Sequence, residues 1–235
     1  MLTRTLLFLP FSTLVLGACS PPDAGSIAAN VTLTEERDRE SYALGFDFGE
    51  SVRPGKEFVE IDAFLAGFLA GLEDESALSP DVHAASMETF VRKVRERIQA
   101  EGAAEASAAR EAGEAYLAEN GARDEVTVTE SGLQYEILTE GDGPVPTADN
   151  VVRMHYRGTL LDGTEFDTSR GGDPAQFGVG GVIPGFAEAL QLMPVGSTWR
   201  IVIPSDLAYG EAGAGGVIGP NQVLIFEIEL LEIVE

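Results

Sequence analysis

The sequence predicts an α+β chain, in which an all-helical N-terminal part precedes a twisted antiparallel sheet packed on one short helix. Three observations carry this. Val152, Met154 and Tyr156 alternate with Arg153, His155 and Arg157; Trp199, Ile201 and Ile203 alternate with Arg200 and Val202; Leu224, Phe226, Ile228 and Leu230 alternate with Glu227 and Glu229. That is the period of strands with one dry face. Pro184 opens a short helix that Pro194-Val195-Gly196 closes. From Glu35 to about Asn120, apolar residues recur at helical spacing instead.

The first 18 residues read as a processing segment. Arg4 supplies the positive start, residues 6–16 are apolar except for Pro10, Ser12 and Thr13, and Gly17-Ala18 offers a small-residue cleavage site. The run is too short for an ordinary membrane span. Leu16-Gly17-Ala18-Cys19 resembles the lipobox of bacterial lipoproteins, which implies that Cys19 becomes the lipidated first residue, with Ser20 after it as in outer-membrane-directed forms. The alternative is an ordinary cleaved signal with an incidental cysteine. Cys19 is the only cysteine, so no intramolecular disulfide can form. Removing Arg4 with the signal takes the formal charge from -24 to -25, since no other charge precedes Cys19. So acidic a chain argues against nucleic acid as a partner and against polybasic attraction to anionic lipid, leaving membrane attachment to the lipid itself.

Residues 20–29 are small, polar and Pro-containing, the composition of a flexible tether. In the first helix Tyr42, Phe46 and Gly49 share a face with Leu44 and Phe48 beside it. In the second, Asp62 is expected to cap a stripe of Phe64, Leu65, Phe68, Leu69 and Leu72. Ser79-Pro80 starts a third, whose apolar face is Met87, Phe90, Val91, Val94 and Ile98 and which runs on to Leu117, about 60 Å at the usual rise. Beyond Ile98 the stretch AEGAAEASAAREAGEAY is polar or Ala on nearly every side, so it is expected to stand free as a spacer, weakened by Gly102 and Gly113. In the C-terminal part, Asp162-Gly163 between LL and TEF reads as a hairpin turn.

The segment at 151–169, VVRMHYRGTLLDGTEFDTS, stands with VIPGF at 182–186, LAYG at 207–210 and LIFEIELL at 224–231. Over roughly the last hundred residues this set resembles the FKBP-type peptidyl-prolyl isomerases. SYALGFDFG at 41–49, AGFLAGL at 66–72, and EAYLAEN followed by SGLQYEIL resemble the macrophage infectivity potentiator-like branch. The resemblance implies a signal over 1–18, a tether over 19–33, a helical dimerisation domain over 34–100, the rest of a long helix and linker over 101–128, and an isomerase domain over 129–235. It implies a homodimer, lipid-anchored in the bacterial envelope at the outer membrane facing the periplasm, acting on proline-containing unfolded or partly folded proteins, with macrolide inhibitors as further ligands. Small Phe-rich helices that cannot bury a monomeric core point to dimerisation on physical grounds too.

Turning an Xaa-Pro bond breaks no bond, so the chemistry asks for a dry pocket and for neither nucleophile, cofactor nor metal. By resemblance that pocket is Tyr156, Phe166, Phe177, Val182, Ile183, Phe186 and Ile218 for substrate binding, with Asp167, Tyr209 and Phe226 as catalytic residues. The aromatics would hold the prolyl ring and Asp167 would sit by the rotating carbonyl. The Tyr209 hydroxyl and the Ile218 N–H would hold the main chain. Taken singly, a strand Phe is ordinary core, Asp167 could serve its own turn, and Trp199 falls at core parity.

The chain departs from the family pattern at Phe186, where most members carry Trp, at Ala175, where a bulky pocket-edge residue is common, and at Gly219, which replaces a Pro. Gly213, Gly215 and Gly216 loosen the loop after Tyr209. His83 and His155 lack metal-ligand spacing, and the Gly-rich stretches lack the phosphate-loop Lys. The reading is an isomerase with chaperone activity. The alternative is a non-catalytic or weakly catalytic periplasmic holdase chaperone or peptide-binding module.

Overall fold

The computed structural model describes residues 31–234, so the Cys19 motif and the 20–29 tether lie outside the described residues. The chain divides into two compact units that meet in sequence at Glu96 and Arg97.

In the first unit, α1 (Glu36–Val52) begins after Glu35, whose N–H donates to the Asp38 carboxylate at 3.2 Å. A 3-10 turn over Arg53–Phe58 leads to α2 (Ile61–Leu72). Asp62 lies inside the first turn of α2 rather than at its cap, which is Glu60; there its charge complements the helix dipole. Phe48 of α1 packs on Phe64 and Phe68 of α2, both at 6.0 Å between ring centres. Gly55 seats the turn on α3 (Pro80–Gly121): a Cβ there would come within 2.7 Å of Phe90 and Val94. Gly55 is the only buried residue of this unit among those described. Leu44 and Leu72 are 72% and 68% exposed, so these helices have faces but no core of their own.

The second unit is built on a 7-stranded antiparallel sheet in the order β1-β2-β6-β7-β3-β4, with β5 also on β3. Its strands are β1 (Val126–Val128), β2 (Gln134–Thr139), β3 (Val151–Thr159), β4 (Glu165–Thr168), β5 (Ala175–Gly178), β6 (Thr198–Ile203) and β7 (Leu224–Ile233). The long strand β3 pairs with β7 along one edge, placing Tyr156 opposite Ile228 and Gly158 opposite Phe226. Its other edge is shared, with β5 on residues 151–154 and β4 on 157–159. Asp162-Gly163 forms the β3–β4 turn as expected: Gly163 has φ 86°, and the Thr164 N–H donates to Asp162 Oδ1 at 2.9 Å.

The expected short helix is α4 (Pro184–Leu190). It ends at Leu190, and the Leu192 and Met193 N–H groups both turn back to the Ala189 carbonyl in the turn that follows. Gly185 lets its first turn lie on β6, where a Cβ would come 2.4 Å from Ile203 Cγ2. The core fills the space between α4 and one sheet face with Val152, Met154, Ile201, Ile203, Leu224, Ile228 and Leu230. Trp199 joins this core, stacked on Tyr135 at 4.4 Å and 10°, with its indole N–H unpartnered among the described residues.

The far end of α3 is not a bare spacer. From Ala106 onward it docks on the opposite face of the sheet. Asn120 Nδ2 donates to Gln134 Oε1 at 2.8 Å, Gln134 Nε2 donates to the Leu117 carbonyl at 2.8 Å, and Arg200 reaches Tyr116. This cover explains why Val202, expected on a wet face, is 2% exposed. Gly113 is where the helix comes closest: a Cβ there would come 2.8 Å from Val223 Cγ2, so this glycine serves contact rather than bending. β1 and the docked helix extend this unit upstream of Thr129.

Candidate active site

The strands put inward-facing aromatics at the mouth of the core, where α4 and the loop after β6 leave the sheet uncovered. A cavity of about 620 Å³ opens there. It is lined by Tyr156, Phe166, Asp167, Phe177, Val182, Ile183, Phe186, Tyr209, Ile218 and Phe226, every pocket residue expected from the sequence, and also by Gly181, Ala214, Gly215 and Val217. Those last four carry no side-chain chemistry by which a sequence could mark them. Ala175 is not among the lining residues; it stands on β5 opposite Met154.

The rings form one unbroken run of edge-to-face contacts. Phe177 meets Tyr156 at 5.7 Å, Tyr156 meets Phe186 at 6.4 Å, Phe186 meets Phe226 at 5.0 Å, and Phe226 meets Phe166 at 5.5 Å. Such pairs favour this geometry beyond the area they bury, so the ring wall is preorganised. Gly158 makes room for it, since a Cβ there would come within 2.7 Å of both Phe166 and Phe226.

Polar groups are few. The Tyr156 hydroxyl donates to Asp167 Oδ2 at 2.6 Å. Burial, then the hydrogen bond and charge of Asp167, push the Tyr156 phenol well above its ordinary pKa, so it remains the donor. Among the described residues, Asp167 and the two tyrosines are the only ionisable ones lining the cavity. Tyr209 is 41% exposed, and its hydroxyl has no partner among the described residues. His155 faces elsewhere, its Nδ1 at 3.2 Å from Ser169 Oγ.

The backbone donor expected from Ile218 is already engaged. Its N–H donates to the Ala214 carbonyl at 3.0 Å, and the Ala214 N–H returns to the Ile218 carbonyl at 2.8 Å, closing a small bridge within the loop. Ile183, at the entry to α4, lines the cavity with an N–H that has no acceptor among the described residues. Fixed rings, one oriented carboxylate and a few free donors can grip a short apolar peptide and exclude water from one of its amides.

Comparison with known proteins gives the same picture. Residues 143–231 match the family model for FKBP-type peptidyl-prolyl cis-trans isomerase, and residues 37–137 match that for the domain amino terminal to it. The FKBP-type 22 kDa peptidyl-prolyl cis-trans isomerase of Escherichia coli K12 is 44% identical over 195 residues, 82% of this chain and 93% of that protein. The outer membrane protein MIP of Legionella longbeachae is 38% identical over 207 residues, covering 86% and 88% of the two chains. The crystal structure of FkpA from Escherichia coli superposes with a TM-score of 0.70 at 32% identity, over 86% of this chain and 98% of that one.

Proposed function

Because the chain belongs to the FKBP-type peptidyl-prolyl cis-trans isomerases, we propose that its aromatic cavity is where it turns Xaa-Pro bonds, with Asp167, Tyr209 and Phe226 as catalytic residues. Amide resonance sets a barrier of about 18–20 kcal/mol, and no covalent bond has to break for rotation. The catalyst need only bind the twisted amide better than either planar form. A twisted amide has lost much of its charge separation, so a dry ring wall penalises it less than the planar forms. The prolyl ring sits against Tyr156, Phe177, Phe186 and Phe226, and Asp167, oriented by the Tyr156 hydroxyl, lies beside the rotating carbonyl. Tyr209 and the free N–H of Ile183, in place of that of Ile218, hold the peptide main chain. Phe186 gives a shallower floor than an indole would, which loosens the grip on the proline and on macrolide inhibitors alike.

The observation that carries this reading is the unbroken ring wall, whose one tyrosine, Tyr156, is hydrogen-bonded to the Asp167 carboxylate. Proline-limited refolding of a client with the full chain and with its Phe226→Ala and Asp167→Ala variants tests it. Wild-type rates in both folded variants would reject this pocket.

The exposed faces of α1 and α2 support residues 34–100 as a dimerisation domain covered by a second copy. The signal-like start, Cys19 and the similarity to an outer membrane protein support a lipid-anchored protein of the bacterial envelope, at the outer membrane and facing the periplasm. Its substrates are then unfolded or partly folded secreted proteins, which the cleft between the two copies and the apolar cavity would shield from aggregation. Holdase activity without catalysis is the second reading. An aggregation assay on a proline-independent client, run beside the refolding assay, separates the two.

A further inference from the structure

The wall of the cavity that carries Tyr209, Ala214, Gly215, Val217 and Ile218 is a loop with little regular structure. Gly210, Gly213, Gly215 and Gly216 all have positive φ, between 56° and 74°. Left to its own Ala214–Ile218 bridge, such a segment samples many conformations. Asn221, just past the loop, is 5% exposed and ties it down from two sides. Its backbone N–H donates to the Gly210 carbonyl at 2.8 Å, the residue next to Tyr209. Its side-chain Nδ2 donates to the Ala106 carbonyl of α3 at 3.2 Å, and the reverse amide orientation would set two oxygens against each other.

Asn221 holds this post at a cost to stability. It has φ 57°, a conformation Asn adopts after Pro220 at a small cost relative to glycine, and its Oδ1 is buried without a partner among the described residues. A residue that leaves a buried carbonyl oxygen unpaired while linking a helix to a pocket loop is better explained by the site than by the fold. Other contacts between α3 and this segment are the surface pair Arg110–Glu211, with side chains 54% and 84% exposed, and the packing of Gly113 on Val223. The ion pair is too exposed to fix a loop.

We propose that Asn221 is a positioning residue that anchors the Tyr209 loop to the Ala106 carbonyl of the long helix, making that helix a supporting part of the active site. This rests on the reading of Tyr209 as a substrate contact. The helix carbonyl fixes the amide, the amide fixes the backbone at 221, and that backbone fixes Gly210 and so the direction in which Tyr209 enters the cavity.

The experiment uses the full chain and a short Xaa-Pro peptide substrate. Asn221→Gly keeps the positive φ and removes only the amide. It should lower kcat/KM about three- to tenfold, because a slightly misplaced contact is costly to a preorganised site. In a Tyr209→Ala background the same change should cost less than about 1.5-fold, the signature of two residues acting as one. Amide hydrogen exchange should quicken in the loop at 210–214 and remain unchanged in β7. Equal fold losses in both backgrounds, or a wild-type rate in Asn221→Gly, overturn the proposal. If Tyr209→Ala alone keeps the wild-type rate, it is the substrate role of Tyr209 that fails. The exchange arm then decides the anchor: faster loop exchange supports it and unchanged exchange overturns it.

Discussion

Tyr156 and Asp167 meet across the β3–β4 pair, the phenol donating to the carboxylate at 2.6 Å with the ring edges of Phe177 and Phe186 on either side of Tyr156. One hydrogen bond therefore joins the apolar wall of the cavity to its one carboxylate, and most of what can be tested about the site starts there.

Asp167→Ala and Phe226→Ala should each lower kcat/KM by about one to two decades, equivalent to roughly 1.4–2.7 kcal/mol of transition-state stabilisation. Tyr209→Phe, which removes only a hydroxyl, should cost less. The measurement is proline-limited refolding with the full chain, since a fragment beginning at Thr129 lacks β1 and the helix that buries Gln134. Circular dichroism of each variant confirms that it remains folded.

The catalysed rate should be nearly flat across pH 6–8, because no group in the cavity has to exchange a proton during rotation. His155→Ala should retain most activity. A rate step near pH 6.5 that disappears in His155→Ala would show that the mechanism is different.

Stability should respond to alkali instead. The folded-state pKa of Tyr156 is raised, so the folded chain retains this proton where the unfolded chain loses it. The contribution is fully present below the ordinary tyrosine pKa of about 10 and is lost as pH rises through the folded value. Denaturant midpoints should fall above that pH in the wild type and fall less in Tyr156→Phe.

Gly113→Ala should destabilise the chain by about 1–3 kcal/mol, because the new methyl meets Val223 in a packed contact. Helix propensity alone predicts the opposite sign, a gain of about 1 kcal/mol. Gly102→Ala, whose Cβ position is open, should follow propensity. Thermal melts of the two variants side by side settle whether this face of α3 is docked.

The mature chain should scatter light as a dimer, and Leu44→Glu with Leu69→Glu should give monomers that retain activity on short peptides. A monomer mass for the wild type well above micromolar concentration contradicts this. Cys19→Ser should leave the protein unprocessed or release it from the membrane fraction, and an intact native mass without acyl addition at Cys19 contradicts the lipid anchor.

Strand parity was enough to place Tyr156, Trp199, Ile201 and Phe226 inside, because each lies on a strand with one apolar face against α4. The same reasoning misplaced Val202, whose face of the sheet is covered by a helix far away in sequence. The docking of α3 was illegible because its contacts use Gly113, a backbone carbonyl at Ala106 and polar Asn120 and Gln134, none of which adds to an apolar stripe. The cavity residues were legible as a motif, and the aromatic ones as inward-facing. What the motif could not show was which main-chain donors remain free, since the Ala214–Ile218 bridge depends on loop geometry rather than on side chains.

Trp199 is the only tryptophan of the chain, stacked on Tyr135 inside the sheet unit with its indole nitrogen out of reach of solvent. Its emission is therefore a built-in spectroscopic reporter for the unit of residues 97–235, in whose core it lies. A urea titration followed by tryptophan fluorescence yields the stability of the isomerase unit, while far-ultraviolet ellipticity at the same concentrations follows the helices as well. Comparing the two curves, and repeating them at several protein concentrations, separates the melting of the catalytic unit from dissociation of the proposed dimer in a single unlabelled sample.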